Sequence, residues 1–292
     1  MKILTIHNIV EFLKPIISIN KHIKHFSNNK MINSTTILTY HSISDHRKFK
    51  YSRHYTINPQ LLNLQMNYIH DNNFRVINLA ELYDRIQGRI KVNQKTLVLT
   101  FDDGYADSYI YACPILKKYG FCATFFLISS FVGSKNLFPW LHEPMFPQGE
   151  NLPLSAEQIL DMAKEGMDFG SHTLSHQRLS QLSQNQAYKE INESKTYLDE
   201  LLGREINYFS YPYGSYNDFD HTHQEMVRKA GYKLAVTSIY GSNSINSNLF
   251  SLRRIPIYGS DNLNTFRMKI NGYYDWIEKV QKLLFVLHNI NN

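Results

Sequence analysis

Cysteine is scarce in this chain. Only Cys113 and Cys122 occur among 292 residues. Two are too few for a disulfide framework, and buried free thiols are the simplest reading. Long apolar runs are lacking too. No stretch of about 18 consecutive apolar residues exists, so no membrane-spanning helix is expected. At the N-terminus Glu11, Lys14 and Lys21 interrupt the hydrophobic run and no small-residue cleavage site follows. No secretory signal is expected there, and the expectation is a cytoplasmic protein. Concentrated charge is also missing. Lysine and arginine number 31 against 25 acidic residues, a net charge of +6, scattered along the chain with no nucleic-acid module. That balance permits contact with anionic glycans or lipids but predicts no nucleic-acid partner.

What is present is a regular alternation of short strands and helices. With 43% hydrophobic residues the chain can bury one large core. Residues 1–34 read as an N-terminal helical extension. Within it, residues 8–25 carry Ile9, Phe12, Leu13, Ile16, Ile17 and Ile23 among lysines, a basic amphipathic pattern. Such a segment packs on the main domain or lies peripherally on a membrane. Ser27–Lys30 reads as a linker. The main domain, 35–260, offers strands at Thr35–Tyr40, Phe74–Ile77, Thr96–Phe101, Cys122–Ile128, Met167–Phe169, Ile206–Tyr211, Tyr232–Thr237 and Arg254–Ile257. Helices fall between them, at Pro59 to about Asn72, Leu79–Ile86, Ala106–Tyr119, a segment opened by the Ser155/Gln158 capping box, Asn185–Leu202 and Glu225–Ala230. Repeated β-α units imply a parallel sheet, and their number predicts closure into an α/β barrel. Residues 261–292 read as a C-terminal helical segment packing on it.

Two clusters carry chemistry. Asp102 and Asp103 follow the apolar run Thr96–Phe101 and precede Gly104. Adjacent carboxylates at the end of a buried strand are costly unless something binds there. Side chains of neighbouring extended residues point oppositely, so one aspartate can reach a cation while the other faces substrate or water. The plainer alternative makes Asp103 a helix cap and leaves Asp102 solvated. His172 and His176 follow another short apolar segment, four positions apart, the spacing of one side of a helical turn and a common one for a shared metal. Strand ends of an α/β fold gather on one face. Asp103, His172 and His176 would there give three ligands and leave a fourth position open, the catalytic rather than the structural zinc pattern.

Three segments together carry a family resemblance: Thr100-Phe101-Asp102-Asp103-Gly104, Ser171-His172-Thr173-Leu174-Ser175-His176 and Phe209-Ser210-Tyr211-Pro212-Tyr213-Gly214. From about Ile37 to Ile257 the chain resembles polysaccharide deacetylases of the carbohydrate esterase 4, or NodB-homology, family. The resemblance implies a distorted (β/α) barrel and hydrolysis of N-acetyl groups from amino sugars of a polysaccharide or lipid-linked glycan. It implies Asp102 as general base and one divalent metal, zinc with cobalt, nickel or manganese as alternatives, on Asp103, His172 and His176. It also implies an oxyanion donor at the Tyr213 backbone, with Pro212 fixing the turn and Tyr211 beside it. The expected proton donor is His41, with His288 as the alternative. His41 ends the first strand ahead of the Asp pair, an arrangement similar to the poly-N-acetylglucosamine deacetylases. His288 follows Val286 where the family pattern has leucine.

Departures are visible. Many relatives have an arginine where this chain has Ser210, and Arg253 or Arg254 is the candidate replacement. No Asp-Trp segment matches near Ala235–Ser238. Tyr211, Tyr213, Tyr216, Phe138 and Trp140 are candidate sugar-stacking aromatics. The segment Ser129–Leu154 covers the substrate or is simply anchored by its own aromatics. Two other functions stay open: a glycan-binding protein on the same fold, and an amidohydrolase acting on a non-sugar amide such as a cyclic ureide or imide.

Overall fold

The computed structural model describes residues 34–290, apart from 46, 48–52, 92–93, 143 and 147. The amphipathic segment 8–25 and the linker Ser27–Lys30 lie outside the described residues. Seven apolar segments form β1 (Ser34–Tyr40), β2 (Thr96–Phe101), β3 (Thr124–Leu127), β4 (Asp168–Ser171), β5 (Tyr208–Ser210), β6 (Leu234–Tyr240) and β7 (Leu252–Pro256). Each pairs in parallel with the next in chain order. β7 then pairs back onto β1, Leu38 opposite Ile255 and Thr39 opposite Pro256, and the ring is closed. Pro256 sits where β7 ends, the position that tolerates a residue without an N–H. Phe74–Ile77 does not supply an eighth stave. Only Arg75–Val76 pair, alongside the start of β2, while β1 and β2 bond directly to each other.

The connecting helices are α1 (Pro59–Asp71), α2 (Leu79–Ile86), α3 (Cys113–Lys118), α4 (Ala156–Lys164), α5 (Gln184–Leu202) and α6 (His221–Lys229). Their limits follow local chemistry. Ser155 and Gln158 form the reciprocal capping box at the start of α4, and Gly203 closes α5 in the left-handed region at φ 62°. The helix expected over Ala106–Tyr119 instead begins as a π-helix, Ser108–Ala112, and continues as α3. Pro114 has no N–H to bond the carbonyl four residues back, which suits a wider turn before it. Beyond β7, α7 (Leu263–Ile270) and α8 (Ile277–Ile290) follow, and Phe266, Ile270, Tyr274 and Ile277 join the main core. Among the described residues no helix is long and apolar enough to cross a membrane.

The two-residue period of a strand sorts its side chains. Leu38, Leu99, Phe101, Phe125, Phe169 and Phe209 pack outward against Leu62 and Met66 of α1, Ile159 of α4 and Ile191 and Leu198 of α5. The alternate set, Ile37, Val98, Phe126, Tyr208, Val236 and Leu252, forms a second cluster with Leu79, Leu82 and Ile86 of α2. One step further along the strands this second set turns polar: Thr100 and then Asp102 after Val98, Ser210 after Tyr208, Arg254 after Leu252. The barrel therefore has an apolar floor and a polar layer above it.

Gly170 of β4 makes the floor possible. A Cβ there would lie 2.6 Å from the Phe126 ring and 2.7 Å from the Tyr208 carbonyl oxygen. Gly170→Ala should therefore destabilise the fold by about 1–3 kcal/mol, as overpacked cores do. The reading is a lower urea midpoint at unchanged slope; an unmoved midpoint would contradict the packing.

Candidate active site

β2 runs out at Phe101, and the Asp102 N–H still donates to the Tyr40 carbonyl at 2.9 Å. Asp103 then takes φ 73° and Gly104 φ 82°, so the chain turns sharply. At Gly104 a Cβ would meet the Leu127 side chain at 2.8 Å. This turn changes the expected geometry of the pair. The carboxylates do not point to opposite sides: Asp102 Oδ2 lies 4.0 Å and Asp103 Oδ1 3.6 Å from His172 Nε2. Asp103 makes no helix cap.

The histidine pair is not on a helix. His172 directly follows β4, and Thr173 (φ 66°) and His176 (φ 62°) reverse the chain twice. The loop is pinned from below. Ser175 donates its N–H (2.8 Å) and hydroxyl (2.6 Å) to the Glu190 carboxylate of α5, and the Thr173 hydroxyl accepts the His176 N–H at 3.0 Å. Backbone strain of this kind, about 1–3 kcal/mol per residue, persists where surroundings over-determine it. Of the six non-glycine residues with positive φ among the described residues, Asp103, Thr173, His176 and Tyr213 are all here.

Asp103, His172 and His176 bring one ligand atom each to within 4.8 Å of one another. The donor set suits a divalent cation. His172 Nδ1 lies 2.8 Å from the Ser210 carbonyl oxygen, which makes Nδ1 the protonated nitrogen and leaves the Nε2 lone pair facing the cluster. Burial lowers the pKa of both imidazoles, that of His176 to about 2, and so favours their neutral, ligating form. Burial and the neighbouring Asp102 push Asp103 far up, the mark of a carboxylate awaiting a positive charge.

Asp102 is in the opposite condition. Burial alone would raise its pKa, but the Arg254 guanidinium and His172 hold it far below the carboxylate range. Arg254 donates from Nη1 to Oδ1 at 2.8 Å and from Nη2 to Oδ2 at 2.7 Å. Its Nε–H reaches the Thr237 carbonyl at 2.7 Å and Nη2 the Ser210 hydroxyl at 3.1 Å. Both charged residues are almost fully buried. Arg254, and not Arg253, thus stands in for the arginine missing at Ser210; Arg253 pairs with Glu278 instead.

A family model described as polysaccharide deacetylase matches residues 89–235, which contain the aspartate pair, the histidine pair and the Pro-Tyr turn. The chain belongs to the polysaccharide deacetylase family. It is 30% identical over 221 residues to the putative polysaccharide deacetylase YxkH of Bacillus subtilis, covering 76% of this chain and 70% of that protein. It is 28% identical over 216 residues to the poly-beta-1,6-N-acetyl-D-glucosamine N-deacetylase of Staphylococcus aureus, covering 70% of this chain and 69% of that one. Among solved structures, the Streptococcus pyogenes deacetylase PplD in complex with acetate superposes with a TM-score of 0.69 at 28% identity, covering 81% of this chain and 98% of that one. IcaB from Ammonifex degensii gives 0.68 at 25% identity, covering 84% and 97%.

In this deacetylase-family barrel His41 stands immediately after β1. Burial lowers its pKa to about 4, Asp102 opposing that shift and Arg254 adding to it, and its buried Nδ1 has no hydrogen-bond partner among the described residues. The side chain of His288, near the end of α8, lies outside the described residues. Tyr213 is half exposed, and its ring centroid lies 5.1 Å from that of His176. Pro212 is buried, and its carbonyl accepts the Gly214 N–H at 2.7 Å. Tyr211 is not available to substrate, contrary to expectation. It is 1% exposed, stacks on Phe219 at 4.1 Å and bonds the Phe250 carbonyl, so it belongs to the core. Phe138 is likewise buried, whereas Trp140 lies 4.8 Å from the His176 ring and donates to the Tyr105 hydroxyl at 2.8 Å. The segment 129–154 is therefore anchored by Phe138 and also reaches the site through Trp140.

Asp107 is a residue the motifs do not single out. It is fully buried and accepts the hydroxyl of Ser42, the neighbour of His41, at 2.6 Å. Its only signal in the sequence is its place four residues after Asp103. Burial pushes its carboxyl up to about 7 against the lowering effect of Ser42.

Two outcomes follow from these contacts. Arg254→Met leaves Asp102 buried and uncompensated and should cost about 3–5 kcal/mol of unfolding free energy. Arg254→Lys keeps the charge without the two-pronged geometry and should cost less; equal stability of all three forms would refute the pairing. The folded state holds the Asp107 proton more tightly than the unfolded chain, whose aspartates titrate near about 4. Its contribution to stability is therefore present below that pH and falls as pH rises toward about 7. Asp107→Asn should remove this slope, read from urea unfolding across the interval; an unchanged slope would place the titration elsewhere.

Proposed function

We propose that this protein hydrolyses N-acetyl groups from N-acetylated amino sugars, releasing acetate and leaving the free amine on a polysaccharide or lipid-linked glycan. The observation that carries the reading is the split between two adjacent buried carboxylates. Asp102 is kept ionised by Arg254, while Asp103 turns to His172 and His176 and has no lysine or arginine ion pair among the described residues. A general base must be unprotonated and beside its water, and Asp102 is held in that state. Asp103, His172 and His176 would hold one divalent cation, zinc by the two-nitrogen, one-oxygen donor set. Bound there, it supplies a Lewis acid for the acetyl carbonyl and lowers the pKa of a coordinated water.

The chain's own groups then divide the work. Asp102 takes the proton from the attacking water. The Tyr213 N–H, which has no acceptor among the described residues, is free to donate to the carbonyl oxygen as charge develops on it. His41 gives the leaving amine its proton. Burial lowers its pKa to about 4, so it is neutral at rest; the proton it delivers is the one Asp102 has taken from the water, which leaves both groups as they began. The likeness to the Staphylococcus aureus N-deacetylase supports an N-acetylglucosamine polymer as substrate.

The test is acetate release from N-acetylglucosamine oligomers by zinc-reconstituted protein. Asp102→Asn and His41→Ala should each lower kcat by about 10²–10⁴-fold, the usual worth of general acid–base catalysis. Chelation should abolish turnover and added metal restore it. Tight glycan binding without acetate would replace this reading with a binding protein; His41→Ala within a few-fold of the parent would remove His41 from the donor role.

A further inference from the structure

The loop that carries Tyr213 and the loop that carries His176 are joined by one residue outside the three motifs. Arg178, two positions after His176, ion-pairs through Nη1 with Asp218, whose side chain is 1% exposed. Asp218 in turn accepts the Ser215 N–H at 2.7 Å and hydroxyl at 2.5 Å, and its carbonyl accepts the Ser180 N–H at 3.1 Å. The Arg178 guanidinium carbon lies 4.1 Å from the centroid of the Tyr213 ring. That is cation–π distance, and a stacked guanidinium loses little on pairing because its fork is planar.

Tyr213 needs such a hold. The Gly214 N–H bonds back to the Pro212 carbonyl at 2.7 Å, and Tyr213 between them sits at φ 61°. A three-residue turn with a positive central φ is strained for a tyrosine. Gly214 cannot relieve it by shifting inward, since a Cβ there would already lie 2.7 Å from the Ser238 nitrogen. With its ring half exposed, Tyr213 has little packing of its own to oppose relaxation.

We propose that Arg178 is a positioning residue for the hydrolysis: stacked on Tyr213 and tied to Asp218, it holds the Tyr213 N–H where the carbonyl oxygen develops charge. This rests on the reading of Tyr213 as the oxyanion donor. Arg178 touches no reacting atom in this scheme. Its effect passes through the Tyr213 ring to the backbone of that turn.

The experiment uses the full chain with zinc, labelled with 3-fluorotyrosine, the Tyr213 fluorine resonance being assigned by its loss in Tyr213→Phe. In Arg178→Ala the resonance should shift and broaden. Acetate release from N-acetylglucosamine oligomers should fall about 10–100-fold in kcat, with KM within about threefold, short of the full cost of losing an oxyanion donor. Zinc content should be unchanged, which a general loosening of the His176 loop would not allow. Arg178→Lys keeps the ion pair for buried Asp218 and loses the planar stacking; it should move both readouts in the same direction and serves if the alanine variant fails to fold. A fixed resonance overturns the clamp itself. A moved resonance with unchanged kcat overturns the proposal by taking Tyr213 out of the reaction, and so separates the two failures.

Discussion

The pairing of Arg254 with Asp102 is the interaction on which the site depends. A carboxylate at the top of a closed barrel is nearly shut off from water, and burial drives it toward the neutral acid. Arg254 reverses that by spending its donors in one place: two on Asp102, others on the Thr237 carbonyl and the Ser210 hydroxyl. Those groups come from the end of β2, from β5 and from β6, so the guanidinium, itself on β7, ties four staves together and sets the charge of Asp102. Buried ion pairs of this sort add little net stability over an apolar replacement. What this one provides is a defined protonation state. Two neighbouring aspartates, identical in type, end with opposite needs because, among the described residues, an arginine hydrogen-bonds only Asp102.

The second constraint is backbone strain, and it depends on the first layer of the barrel. Asp103, Thr173, His176 and Tyr213 all hold positive φ. Such residues relax unless their neighbours are rigid. The rigidity comes from beneath: strand pairing on both sides of β2 and β4, the Gly170–Phe126 contact in the floor, and the Glu190 carboxylate under the histidine loop. Packing, in other words, keeps the loops wound; the loops bring Asp103, His172 and His176 together; the ion pair decides which of the two carboxylates is held ionised.

Much of this is legible in the residues alone, for reasons that can be named. Strand and helix limits follow from caps, glycines and apolar runs, which act locally. The Ser155/Gln158 box and the Gly203 stop need no tertiary contact to work. The cluster of Asp103, His172 and His176 is legible because its residue types at strand ends have few other uses. What escapes is everything set by a left-handed backbone or by depth. A four-residue spacing suggests a helical turn, yet His172 and His176 converge through two chain reversals that only the Glu190 and Thr173 contacts explain. Tyr211 and Tyr213 look equivalent as aromatics of one turn, but one faces Phe219 in the core and the other faces His176. Asp107 has no motif to announce it, because its interest lies in a burial that no short segment encodes.

The choice between Arg253 and Arg254 shows why such a gap exists and how a barrel fills it. Adjacent residues of a strand face opposite sides, so a one-residue change of phase exchanges them, and the phase of β7 is set by its pairing with β1 and β6. Leu252 belongs to the floor cluster, so Arg254, two residues on, points above it, while Arg253 turns out to Glu278. The lumen is the meeting point of all seven strands. A charge required beside Asp102 can therefore enter from β7 as well as from β5, provided β5 leaves room. Ser210 does so: its side chain is short, and its hydroxyl accepts from the incoming guanidinium at 3.1 Å. What the chemistry constrains is the position of the positive charge in space, and a closed ring of strands offers several places in the sequence from which to supply it.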